Sequence, residues 1–166
     1  MSFVALLRGI NLGAKNKVDM KSLKALFKDM GYENVRTYIQ TGNVIFDDET
    51  YDVQQMENSL RDTYGFDIPV VVRSNEELEE IQQHPIFLKD QVYVMFLAQE
   101  ITDEQQDLLD SLVDDDFVVL NKRNLIISLS KNYHQTKFTN TFFEKKLGMV
   151  STARNQNTVN KIIEKM

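Results

Sequence analysis

Val35-Arg36-Thr37-Tyr38-Ile39-Gln40-Thr41-Gly42-Asn43-Val44-Ile45-Phe46-Asp47 reads as two short strands, Val35–Gln40 and Asn43–Asp47, turning around Thr41-Gly42. Glycine at the turn and β-branched or aromatic residues on either side are the marks of a hairpin. Upstream, Asp19 caps a helix whose Leu23, Leu26, Phe27 and Met30 fall on one stripe, and Gly31 sits where a left-handed C-terminal cap belongs. Before it, Phe3–Leu7 is continuously apolar, which suits a strand covered on both faces. Downstream, Val53, Met56, Leu60 and Tyr64 mark a second helix, closed by Gly65 and followed by a strand at Ile68–Arg73. The hairpin therefore sits at the centre of a strand-helix-strand-strand-helix-strand order.

That order recurs. Ser74-Asn75-Glu76-Glu77 is a capping box opening a short helix, which His84-Pro85 ends. Val92–Ala98 is a strand, and Thr102-Asp103-Glu104-Gln105 caps a helix carrying Leu108, Leu109, Leu112 and Val113. Phe117–Leu120 and Leu125–Leu129 flank a turn at Lys122-Arg123-Asn124. Thr139 or Asn140 opens the next helix, Gly148 stops it, Met149–Ala153 is a strand, and Val159, Ile162, Ile163 and Met166 line one face of a closing helix. The expected fold is α+β: two tandem ferredoxin-like repeats, each β-α-β-β-α-β plus a helix, packed as one compact unit. The halves are 1–86 and 87–166, together one family-level domain over 1–166. The repeat is one of element order, without a matching residue pattern. Only Pro85–Asp90 offers a linker.

Composition narrows function. A net charge of −6 argues against a general phosphate-backbone binder, so nucleic acid is not the expected partner, although a small basic pocket is compatible with it. Tyr38, between Arg36 and Gln40, is the one residue placed like an RNA-stacking platform, yet Leu6 and Ile45 lie on strands apolar on both faces. The chain has no cysteine, hence no thiolate nucleophile and no disulfide. Its longest apolar stretch, Val92–Ala98, falls far short of the roughly 20 residues of a membrane span. The expectation is a cytoplasmic protein without membrane contact.

Two strand-to-helix junctions carry what chemistry there is. In Leu7-Arg8-Gly9-Ile10-Asn11-Leu12-Gly13-Ala14-Lys15-Asn16-Lys17, two glycines open backbone amides to a ligand, while Arg8, Lys15 and Lys17 supply positive charge. The spacing is neither a Walker A loop nor a dinucleotide fingerprint. A glycine turn with solvated lysines is the plain alternative. At Thr152-Ala153-Arg154-Asn155-Gln156-Asn157-Thr158, Asn155 or Asn157 can cap the last helix, and Arg154 can clamp a phosphate or brace an acid. Gln40 and Asn43 add amides at the hairpin tip, where type I′ geometry alone would also explain Gly42 and Asn43, and Thr136-Lys137 adds another donor pair. His84 and His134 lack triad or metal partners in sequence, and Asp47-Asp48-Glu49 and Asp114-Asp115-Asp116 lack a calcium-loop pattern. No catalytic residue, metal ligand or cofactor can be named, and whether the protein is an enzyme stays open.

Three blocks carry a family resemblance. Leu7–Gly13 with Lys15–Met20, then Tyr38–Phe46, then Leu147-Gly148 with Thr152–Val159, together resemble the signature of the family called domain of unknown function 1697. The chain departs from it at Gln156, where the family usually has tryptophan, and at Gly13-Ala14, where it typically has Gly-Gly. The resemblance implies a compact bacterial cytoplasmic α/β protein built by duplication; it does not deliver an activity. Its blocks coincide with the polar loops rather than the apolar stripes, which points to binding. The expected site is thus a small-anion or phosphorylated, nucleotide-like pocket formed by Arg8, Gly9, Asn11, Gly13, Lys15, Asn16, Lys17, Gln40, Asn43, Lys137, Arg154 and Asn155. The alternative is a non-catalytic interaction or homodimerisation module, so the state is monomer or homodimer.

Overall fold

Burial of Val4, Ala5, Leu6 and Leu7 without exception demands a strand paired on both edges and covered on both faces. In the computed structural model, which describes residues 1–166, this stretch lies in β1 (Ser2–Leu7). On either side it pairs antiparallel with β3 (Asn43–Asp47) and β4 (Val70–Ser74). With β2 (Glu33–Tyr38) outside β3, the sheet order is β2-β3-β1-β4. Two helices, α1 (Met20–Asp29) and α2 (Val53–Tyr64), follow β1 and β3 in the chain. Asp19 and Asp52 cap them through the amides of Ser22 and Gln55, and Gly65 ends α2 at φ 81°. Leu23, Phe27, Met56 and Leu60 pack with Phe3, Ala5, Leu7, Val44, Phe46, Val70 and Val72. The opposite sheet face, with Val4, Leu6, Ile45 and Val71, is buried as well. The side chain of Tyr38 is only partly accessible, and Lys165 Nζ lies 5.5 Å from its ring centre.

The second sheet repeats the first. Its strands are β5 (Val92–Leu97), β6 (Asp116–Leu120), β7 (Asn124–Ser128) and β8 (Ser151–Asn155), in the order β6-β7-β5-β8. The helices are α4 (Asp103–Leu112), capped by the Thr102–Gln105 box, and α5 (Asn140–Leu147), capped by Thr139 and ended by Gly148. Met95, Leu97, Leu109, Leu125, Ile127, Phe143 and Leu147 form their common core. After β4 and β8 come α3 (Asn75–Gln83) and α6 (Gln156–Lys165). A short 3-10 turn at Pro85–Leu88, capped by His84, buries Ile86 and Phe87 and packs on β5, β6 and β7. The architecture is a mixed α+β fold with two four-stranded antiparallel sheets and six α-helices.

By internal contacts the chain divides into Met1–Leu78 with Lys161–Met166, and Glu79–Asn160. The division runs through α3 rather than between Ile86 and Phe87. The last residues belong to the first unit, where Arg36 Nε donates to the Lys165 carbonyl at 2.8 Å.

The hairpins differ from expectation in an instructive way. β2 ends at Tyr38, and the chain turns over Ile39–Gly42 with positive φ at Ile39 (48°) and Gly42 (95°). That is a longer turn than type I′. The two consecutive positive φ values of a type I′ turn occur in the second hairpin, at Asn121 (53°) and Lys122 (58°). Asn43 is not at an exposed tip. It is fully buried at the start of β3, donating through Nδ2 to the Tyr38 carbonyl (2.9 Å) and to Thr41 Oγ1 (3.1 Å). Asn124 is equally buried at the start of β7, and the two occupy corresponding places opposite Leu6 of β1 and Phe96 of β5.

Gly42 carries a hard requirement. A Cβ there would come within 2.8 Å of both Leu7 Cβ and Ile10 Cδ1, at a φ that side chains avoid. Gly42→Ala should therefore lower unfolding free energy by about 2–4 kcal/mol, read from urea midpoints. A wild-type midpoint would refute the close approach. A second prediction concerns Asp47, which accepts from Ser2 Oγ (2.6 Å) and Asn34 Nδ2 (2.7 Å). These bonds, Ser2 first, then the Arg36 charge, hold its carboxyl below the ordinary 3.8. The stability it contributes is complete above that ordinary value and is lost as pH falls through the lower folded one. Asp47→Asn should flatten the acid limb of stability against pH; an unchanged limb would contradict this.

Candidate functional site

In the first unit the loop after β1 is a small, internally bonded structure. Asn11, at φ 53°, accepts from the Val18 amide (2.8 Å) and donates to the carbonyls of Val18 (3.1 Å) and Gln40 (2.8 Å). The Asn11 amide donates to the Asn16 carbonyl and the Lys15 amide to the Leu12 carbonyl. Asn16, also left-handed, returns its Nδ2 to the Gly9 carbonyl. Asparagine is the side chain that tolerates such φ values while bonding nearby backbone, so the sequence Asn-x₄-Asn is explained by the turn itself. Of the residues expected to meet a ligand here, Asn11, Asn16 and Asn43 thus spend their amides on backbone or on Thr41. Gly13, Lys15 and Lys17 lie exposed at the tip beside Leu12, Gln40 is exposed, and Arg8 and Gly9 are half-buried. The loop carries Arg8, Gly9, Asn11, Gly13, Lys15, Asn16 and Lys17 in one segment, and Asn11 ties Gln40 to it.

In the second unit Arg154 lies inside the protein, only 6% exposed. Its Nη1 donates to Thr152 Oγ1 (2.6 Å) and the Ala153 carbonyl (2.9 Å), and burial lowers its pKa to about 10. Arg73 holds the matching place on β4: Arg73 faces Val4 of β1 as Arg154 faces Val94 of β5, and Arg73 pairs at 3.8 Å with Glu77. Each strand then hands over to a helix through an equivalent cap, the Ser74 hydroxyl taking the Glu77 amide and Asn155 Oδ1 the Thr158 amide. Lys137 is exposed, its Nζ 5.2 Å from the Phe138 ring centre.

Beside the Asn155 junction lies a cavity of about 330 Å³, lined by Gln91, Val92, Tyr93, Asn132, Tyr133, His134 and the Asn155–Asn157 turn. The Tyr93 and Tyr133 rings sit 4.6 Å apart. Tyr133 is fixed because its hydroxyl accepts from the Asn140 amide (2.9 Å), and burial raises its pKa. The His134 amide donates to Asn132 Oδ1, shaping the loop. Gln156, standing where the family's tryptophan would be, donates to the Phe87 carbonyl and ties the start of α6 to the 3-10 turn. The lining combines an aromatic wall, amide side chains that both donate and accept, one imidazole and the first turn of α6, whose amides and dipole favour negative charge. Of the residues lining this cavity, Asn155 was expected as a cap of the last helix and does cap it, whereas Tyr93, Tyr133 and Gln91 were not among the expected ligand residues. Tyr93 was legible as the one polar-tipped residue in the apolar run from Val92, but its partner lies far along the chain.

The match to a family model covers residues 1–125, by the description "Protein of unknown function (DUF1697)". The chain belongs to this family. Among solved structures it resembles the conserved bacterial protein SP0830 from Streptococcus pneumoniae, at 24% identity and a TM-score of 0.70, over 99% of this chain and 97% of that one. At that identity the likeness concerns the fold. A search of curated proteins gave no match. No helix is long and apolar enough to cross a membrane.

The loop geometry makes a direct prediction. Asn11→Ala removes three hydrogen bonds that hold Val18 and Gln40, so the Val18 amide should exchange with solvent at least about tenfold faster, for a loss of about 1.4 kcal/mol or more locally. Unchanged exchange would mean that Asn11 does not pin the loop.

Proposed function

We propose that the protein is a binding protein for a small phosphorylated, nucleotide-like ligand, built from two ferredoxin-like repeats and working in the cytoplasm. Support for the repeats comes from strand orders β2-β3-β1-β4 and β6-β7-β5-β8, each made by a β-α-β-β-α-β path. The matching Asn43 and Asn124, Arg73 and Arg154, and Ser74 and Asn155 add residue-level support.

The ligand reading rests on one observation, the cavity at the β8–α6 junction. Its volume is at the lower end of small-molecule sites, which suits a mononucleotide better than a dinucleotide. A base would lie along Tyr93 and Tyr133, with Asn132, His134 and Gln91 available to its edge. The phosphate would meet the amides of Gln156 and Asn157, in the manner of helix starts that hold anions. Arg154 does not line the cavity; buried beneath the junction, it braces β8 through Thr152 and Ala153. Of the other cations expected at the site, Lys15, Lys17 and Lys137 are exposed and Arg8 is half-buried.

Thermal unfolding with nucleoside monophosphates, nucleosides and inorganic phosphate tests this. A monophosphate at 100 times its Kd should stabilise by about 2.7 kcal/mol, a rise of about 5–10 °C for a chain of this size. Asn157→Glu, which adds a charge that a first helical turn tolerates, should abolish the shift without lowering the ligand-free Tm. No shift with any monophosphate, or an undiminished shift in the variant, would overturn the reading.

A further inference from the structure

The first unit holds a second, chemically opposite cavity. About 490 Å³ in size, it lies between the end of α1 and the start of α2 and is lined by Met30, Gly31, Tyr32, Asp48, Thr50, Tyr51, Asp52, Val53 and Gln55. Not one of these residues is basic. We propose that this cavity binds a small organic ammonium ion, its charge held between the Tyr51 and Tyr32 rings and the carboxylates of Asp48 and Asp52.

The aromatic part is built independently of the acids. Tyr51 is held edge-on against Phe3 (ring centres 4.9 Å apart, 67° between planes) and stays 37% exposed. Tyr32 is 8% exposed and lies 4.6 Å from Phe46. Phe3 and Phe46 are themselves 5.7 Å apart, so both tyrosines are seated on one rigid aromatic base. Ring faces attract cations, and they do so more strongly when water is excluded.

The carboxylates are positioned by backbone and leave acceptor capacity. Asp48 Oδ1 takes the Glu49 amide (2.7 Å), Asp52 Oδ1 takes the Gln55 amide (3.1 Å), and no ion pair occupies either. The Tyr32 hydroxyl accepts from the Asp52 amide (3.1 Å). Burial above all raises the pKa of Tyr32, against the lowering effect of the Asp52 amide bond, with smaller contributions from the Asp52 and Asp48 charges. The carbonyl end of α1, at Met30 and Gly31, adds the negative pole of a helix. An inorganic cation is the poorer fit. Calcium needs six to eight oxygens, and no group of three or more acidic or histidine side chains is placed to hold a metal. Two carboxylates beside two tyrosine side chains suit a weakly hydrated ammonium.

This site stands in a different unit from the nucleotide-like cavity and is independent of it. Calorimetric titration of the whole protein with choline, and with its uncharged isostere 3,3-dimethylbutan-1-ol, tests the idea. Choline should bind at least about tenfold more tightly than the alcohol. Asp48→Asn and Tyr51→Leu should each weaken choline by about tenfold. Asp52→Ser, which keeps a capping side chain for α2 while removing the charge, should do the same with the circular dichroism spectrum unchanged. Equal binding of choline and the alcohol, no binding of choline, or undiminished binding in Asp48→Asn would each overturn the proposal.

Discussion

A strand with no exposed side chain organises each unit of this protein. β1 has buried residues on both faces and a hydrogen-bonded neighbour on each edge, and β5 repeats the arrangement. A one-residue slip of such a strand would exchange the residues packed on α1 and α2 for those of the other face, so register is fixed by two sets of contacts at once. The polar residues that accompany these strands are correspondingly few and placed at their ends: Asn43 and Asn124 where the second hairpin strands begin, Arg73 and Arg154 where the last strands finish. Their side chains bond nearby backbone: Asn43 the Tyr38 carbonyl, Arg73 that of Val72 and Arg154 that of Ala153.

Much of this was legible from pattern. Asp19, Thr102, Gly65 and Gly148 marked helix ends correctly because capping is local chemistry between residues close in sequence. The element order and the apolar strands followed from periodicity. The hairpin turns did not, since Gly42 was read through its immediate neighbours while Leu7 and Ile10, distant in sequence, leave no room there for a side chain. Nor was the residue-level repeat visible: the paired asparagines and arginines sit amid otherwise unlike sequence, and only sheet register aligns them.

The site was less legible, for a physical reason. Glycines and lysines near one another in sequence suggest an anion loop, but whether their polar groups remain available depends on where the chain goes next. Here Asn11 reaches forward to Val18 and across to Gln40, and consumes its own amide. The cavities are assembled from segments distant along the chain, Tyr93 with Tyr133 in one unit and Tyr32 with Tyr51 in the other, which no linear motif brings together. Asn155 was legible as a helix cap because capping, unlike cavity formation, is written within four residues.

The membership of Lys161–Met166 in the first unit has a consequence for how the polypeptide is made. Domains usually mature in the order in which they leave the ribosome. Here Arg36 waits for the carbonyl of Lys165, and Tyr38 for its ammonium group. The edge strand β2 therefore lacks its final contacts until the whole of Glu79–Asn160 has been translated. The unit begun first is finished last, and a ribosome that stalls in the second half leaves the first one incomplete.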